Sequence, residues 1–398
     1  MEKLLQYAWQ HRLWENPEMV TTDGQRLEVL DPGWLNSASG PDFFNSKIIL
    51  DGQRWAGNIE VHLRSSDWFR HGHGSDSAYG NVILHVVGKD DAAVTLPDGN
   101  RLPTVVFKPR ASLIELDRKA RGGCDSPVCR DFIPTLSPPY LTDLIDSLAF
   151  ERLHCKAERF DRFRRQSSGD YEQALFIAIA RALGFGLNSD PMEQVARSVP
   201  LSAFRKHSDS LRTLEAILLG QAGLIPEGDT ALSREYEFMR HKFSLTPVCG
   251  IQWKTSGMRP ANFPEKRLRL LAGFLAGGFN KMGELLTCRT PEEICRRIIP
   301  AGSRLSGSSL NSIIINALIP ALFCYATERN NEQLTELAVT LLQNLPPENN
   351  SIIRLFNSAG IATPSAYHTQ AVIELRTRFC MQRRCLDCRI GNLLLRRR

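Results

Sequence analysis

The spacing of apolar residues changes once along this chain, near residue 111, and that change limits the fold more than any other feature. Before it, short runs rich in Val and Ile, at 26–30, 46–50, 54–63, 81–87 and 104–108, read as strands punctuated by Asp23-Gly24 and Asp51-Gly52. After it, helical spacing takes over from residue 141 and recurs at 171–183, 209–218, 265–275, 310–327 and 331–345, with Gly- and Pro-rich joints. One further helix, over 2–14, precedes the strands. The expected class is therefore α+β. A β-rich domain spans residues 1–110, a linker with a cysteine pair spans 111–140, and an all-α domain spans 141–370. A cysteine cluster and basic tail close the chain at 371–398. The firmest local expectation is a two-residue hairpin across Asp51-Gly52.

A length of 398 residues predicts more than one core, and 42% apolar against 23% charged residues is ordinary globular composition. The first residues lack the uninterrupted apolar stretch of a signal peptide, and the run at 313–324 is shorter than the ~18 residues of a membrane span. Ten cysteines are too sparse for a disulfide scaffold of this length. These features point to a cytoplasmic chain with no membrane partner. A net charge of +6 suits a polyanionic partner such as nucleic acid.

Four of the nine histidines, His62, His71, His73 and His85, fall among residues 62–85 and are interleaved with Glu60, Asp67 and Asp76. On the strand Ile59-Glu60-Val61-His62, alternation places Glu60 and His62 on one face and the two apolar residues on the other. Asp42 lies just before the partner strand of the same hairpin. Two carboxylates there provide what Mg²⁺ or Mn²⁺ requires, and His62 serves as general base or further ligand. The polar, Gly-rich loop beyond them makes Ser66, Trp68, His71, His73, Asp76 and Tyr79, with His85 from the next strand, the candidate substrate-side residues. Trp68 and Tyr79 are of the type that stacks on bases.

Cys380-x₄-Cys385-x₂-Cys388 is the second strong pattern. Three thiols at that spacing look like three of the four ligands of an iron–sulfur or zinc site, with Cys129 preferred over Cys124 as the fourth.

The run Pro41-Asp42, seventeen residues, Glu60-Val61-His62 resembles the PD-(D/E)xK nucleases, with His62 where that superfamily usually has Lys. The resemblance implies a restriction-endonuclease-like β-rich domain. The stretches 22–24, 40–45, 56–62, 65–68 and 82–87, and the cysteine pattern, also resemble the bacterial domain-of-unknown-function 2851 family. That second resemblance implies relatives without implying a reaction. The expected function is a metal-dependent phosphodiesterase or nuclease, or a nuclease-derived nucleic-acid processing protein, with Asp42, Glu60 and His62 as catalytic residues. The alternative is a non-catalytic nucleic-acid or protein-binding protein with a structural metal on its cysteines.

Overall fold

Asp51 and Gly52 both adopt left-handed backbone conformations, with φ of 46° and 85°, as a two-residue hairpin turn demands. They join β4 (Phe43–Leu50) to β5 (Gln53–Arg64), antiparallel, with Leu50 opposite Gln53. The structure, a computed structural model, describes the chain except residues 16–17, 37, 97–98, 123–125, 302, 304 and 397–398, and except the side chains of 120 and 121. Cys124 and the last two arginines of the basic tail thus lie outside the described residues.

The chain divides into two units. The first comprises Met1–Leu136 together with Arg376–Arg398, and the second Ser137–Leu375. The first unit thus reaches beyond the expected boundary near 110 and recovers a later segment, which no local periodicity could announce. It begins with α1 (Glu2–Gln10), followed by β1 (Met19–Val20), β2 (Arg26–Asp31) and β3 (Trp34–Leu35) ahead of the hairpin. After β5 come α2 (Asp67–Arg70) and two short 3₁₀ turns, His73–Ser75 and Ser77–Tyr79. Then follow β6 (Val82–Lys89), β7 (Thr104–Val106) and α3 (Ala111–Arg121).

Strand order is β1-β2-β4-β5-β6-β7, with β3 also on β4. The β5–β6 and β6–β7 pairs are parallel. Parallel neighbours require a crossover, and residues 65–81 supply it, which is why the histidine-rich stretch is long and carries its own short helices. Thr22 donates its N–H to the Thr104 carbonyl at 2.7 Å, and Thr21 bridges Val105, so the sheet nearly closes on itself.

Alternation on β5 buries Ile59 and Val61 against Leu4, Ala8 and Trp9 of α1 and against Phe43, Leu84 and Val86. A smaller apolar cluster of Trp68, Tyr79, Val82, Val94 and Leu102 lies under the crossover. Leu395, from the returning segment, joins the main core.

The second unit is helical. It starts with the 29-residue α4 (Pro138–Gln166) and continues with α5 (Tyr171–Leu183), whose bounds match the periodicity residue for residue. The helix Gly307–Glu328, which includes a π-helical turn at Ile314–Leu318, is long and apolar enough by length and composition to cross a membrane. Its apolar window is 67% buried within this unit, as in a core helix. The helix outruns the mostly apolar stretch at 313–324, with Ser308, Ser309, Asn311 and Ser312 extending it at one end and Tyr325 to Glu328 at the other.

Candidate metal centre

Val61 sits in β5 with its N–H directed away from the strand ladder, and Asp42 satisfies it: Asp42 Oδ2 accepts from Val61 N–H at 3.0 Å. Asp42 Oδ1 accepts from Gln6 Nε2 of α1 at 2.9 Å, and the Asp42 N–H donates to Glu60 Oε2 at 3.1 Å. Asp42 is thus tied to the scaffold through both carboxylate oxygens, and its own amide orients Glu60. This is a different place from the cation ligand expected of it: its carboxylate is occupied by an amide that the strand would otherwise leave unpaired.

Glu60 is 4% exposed and its other oxygen, Oε1, faces imidazoles. It lies 3.3 Å from His62 Nε2 and 3.2 Å from His73 Nε2. His62 Nε2 is also 3.1 Å from His71 Nδ1. One ligating nitrogen from each of His62, His71 and His73 falls within 4.8 Å of the other two. On the far side of His62, Nδ1 meets His85 Nε2 at 2.9 Å, so the imidazole is held from behind. His73 is sandwiched, its ring stacked on Tyr79 at 3.8 Å and on His62 at 5.3 Å. Its Nε2, although 3.2 Å from Glu60, is out of line for a hydrogen bond and is a buried atom without a hydrogen-bond partner.

Burial, reinforced by the neighbouring Asp42 carboxylate, pushes Glu60 up to about 8, and burial pushes Asp42 up to about 6 against the hydrogen bonds from Gln6 and Val61. Burial and the adjacent histidines bring His62 down to about 3, while burial brings His85 down to about 4. Burial also lowers His73. Neutral imidazoles are the form in which histidine binds metals.

Four nitrogen or oxygen ligands about 2.1 Å from one ion stand roughly 3.0–3.4 Å apart in octahedral or tetrahedral geometry. Three contacts match that spacing, Glu60 to His62 and to His73 and His62 to His71, while the ligand atoms that all lie within 4.8 Å of one another are those of the three imidazoles without Glu60. An acceptor nitrogen buried without a hydrogen bond, and a ligand whose second nitrogen is held by His85, are further marks of a cation site. His71 is exposed and gives the cluster a face to solvent.

Other expected residues fall around this centre. Ser66 donates its N–H to Asp91 Oδ1 at 2.9 Å at the start of α2. Asp76 accepts from the Ala78 N–H at 2.9 Å and caps the second 3₁₀ turn. Trp68 is fully buried against His85 and Tyr79, and Tyr79 is 8% exposed beneath His73. Both rings pack the crossover and present no open face to a base, contrary to the stacking role expected of them. Gln6 carries no signal in the sequence that would have tied it to Asp42, thirty-six residues later.

Elsewhere in the first unit, Cys129, Cys380, Cys385 and Cys388 line one cavity. All four are free thiols.

A family model described as protein of unknown function DUF2851 matches residues 2–301 and 299–351. The chain belongs to this family. The DUF2851 match covers α1 and the whole strand, histidine and crossover region described above. No curated protein and no solved structure matches the chain.

Proposed function

We propose that this DUF2851 chain is a metal-dependent hydrolase of phosphodiesters, with nucleic acid as its substrate class. The observation that carries the reading is the closure of His62, His71 and His73 on one point, with Glu60 Oε1 at coordination spacing from two of them. Three imidazoles and one carboxylate favour a transition ion such as Mn²⁺, Zn²⁺ or Fe²⁺ over Mg²⁺. Such an ion supplies Lewis acidity toward a phosphoryl oxygen and an acidified water.

The chain's own groups supply the rest. Asp42 holds Glu60 through its amide, His85 fixes the orientation of His62, and exposed His71 marks the side from which substrate arrives. The Arg70 guanidinium, paired with Asp67 at 2.9 Å and largely exposed, lies near enough to His62 to disfavour its protonation, so a cationic group shared with Asp67 stands beside the centre for an anionic substrate. The placement of Asp42 at the lip of β4 and of Glu60 and His62 on β5 supports the likeness to the PD-(D/E)xK arrangement, and His62 in place of Lys agrees with an imidazole-rich shell.

The test is cleavage of labelled single- and double-stranded DNA and RNA by metal-free protein supplied in turn with Mn²⁺, Zn²⁺, Fe²⁺, Mg²⁺ or chelator, beside Glu60→Gln and His73→Ala. Metal-dependent cleavage lost in both variants is expected. Folded, metal-loaded protein that leaves every substrate intact would turn the reading toward a binding role.

A further inference from the structure

Three of the four cysteines at the cavity lie within nine residues of the segment that returns to the first unit, and the fourth, Cys129, lies far earlier in sequence. Cys380 ends a π-helical turn, Leu375–Cys380, and Cys388 immediately precedes the helix Arg389–Arg396. The Cys388 sulfur accepts from the backbone N–H groups of Ile390 and Gly391 in that helix, and Arg376 donates to Cys380. Burial nevertheless raises all four thiols above their ordinary range, so these donors offset only part of the cost of the thiolate, the form that binds metal. Lys119 and Arg376 also border the cavity, so positive charge stands where four thiolates would gather. The remaining described cysteines, Cys155, Cys249, Cys288, Cys295 and Cys324, belong to the second unit and do not line it.

We infer that Cys129, Cys380, Cys385 and Cys388 hold an iron–sulfur cluster of the four-iron, four-sulfide type. The spread of the sulfurs argues against a single zinc ion: among the described residues no three cysteine sulfurs lie within 4.8 Å of one another. Four thiolates about 2.3 Å from one zinc stand roughly 3.8 Å apart and close around it without a void. The cavity that the four cysteines share with Leu116, Phe379 and Leu394 amounts to about 40 Å³. That is several times the ~10–15 Å³ a single water occupies by the same kind of measure. A polynuclear core held by four cysteine sulfurs fills such a space.

The cluster acts as a clasp, joining the returning segment to the linker after α3. Its effect reaches the histidine centre through bonded neighbours. Asn392 donates its N–H to the Cys388 carbonyl at 2.8 Å, and its side-chain Oδ1 accepts from Tyr7 OH at 2.6 Å. Tyr7 is next to Gln6 on α1, and Gln6 holds Asp42. The cysteine site nevertheless stands without the hydrolase reading, because its contents are read without any substrate.

The experiment is iron, acid-labile sulfide and zinc analysis of the full chain purified and reconstituted without oxygen, with visible absorption as a second readout. Cys129→Ser, Cys385→Ser and, as control, the exposed Cys155→Ser are carried through in parallel. About four iron and four sulfide per chain are expected, lost in the first two variants and retained in the control. One zinc per chain without sulfide overturns the inference, and so does cluster content unchanged in Cys129→Ser. Should the serine variants not fold, the iron-to-sulfide content of the unmodified chain decides alone.

Discussion

Replacing Asp42 separates a scaffold role from a ligand role, because alanine and asparagine remove different things. Asp42→Ala deletes the acceptor for the Val61 N–H at 3.0 Å and for Gln6 Nε2 at 2.9 Å. Val61 is fully buried, so its amide has no water to turn to. Hydrogen bonds to a charged group contribute about 1.5–3 kcal/mol each, and an orphaned buried donor costs about 1–3 kcal/mol. These terms overlap, and a loss of roughly 3–5 kcal/mol is expected for the alanine variant. In a unit of this size each kcal/mol shifts the midpoint by about 2–4 °C, so the fall is on the order of 10 °C. Asp42→Asn keeps one oxygen for Val61, and its new amide meets the Gln6 side chain, which can turn its own oxygen inward. Its loss should stay near 1 kcal/mol, a fall of about 2–4 °C. The assay is thermal melting of metal-free protein at pH 8 followed by near-ultraviolet circular dichroism, paired with metal analysis after reloading. Equal destabilisation by Asn and Ala would refute the scaffold argument. Native melting by the Asn variant with loss of bound metal would make Asp42 a ligand.

His85→Ala, by freeing His62 Nδ1, should weaken divalent-ion binding about 10–100-fold without removing a ligand, measured by competition with a chromophoric chelator. Gly391→Ala would place a methyl group against the Cys385 carbonyl oxygen. It should lower the stability of the first unit by about 1–3 kcal/mol and reduce its iron content in the same preparations. Gly220→Ala, in the helix Leu211–Gln221, would overlap the Tyr236 ring. That ring is anchored by a 2.8 Å hydrogen bond from Tyr236 OH to Gln221, so about 1–3 kcal/mol should be lost from the helical unit while metal content stays unchanged.

Much of the centre was legible because strand alternation is a strict rule. Glu60 and His62 share a face, and Ile59 and Val61 pack the core, as the sequence of β5 implies. The hairpin at Asp51-Gly52 was equally plain, since few other residue pairs accept two positive φ angles. What was not legible arises from irregularity and distance. A register shift between Asn58 and Ile59 sets Glu60 opposite His85 on the parallel β6, and alternation alone could not say that His85 would meet His62. Composition named His71 and His73, but only the fold of the crossover turns them toward His62 while sending Asp76 to cap a turn. Asp42 looked like a ligand because it stands at the lip of β4, across the hairpin from Glu60 and His62. The orphan amide that claims it belongs to a residue nineteen positions away. The cysteine pattern was visible at 380–388, and Cys129, preferred from the sequence, lines the same cavity, whereas Cys124 lies outside the described residues.

The division of the first unit into Met1–Leu136 and Arg376–Arg398 has a consequence for synthesis. A ribosome adding about 5–20 residues per second needs roughly 12–48 s to translate the helical unit that separates the two pieces. Throughout that interval the nascent sheet lacks Leu395 from its core and three sulfurs from its cavity. An interrupted domain of this kind matures in the reverse of reading order, with the middle of the message completed before its beginning. A cluster on all four cysteines could then assemble only after the helical unit has been made and Cys380, Cys385 and Cys388 have followed it, which makes assembly of the clasp a late step.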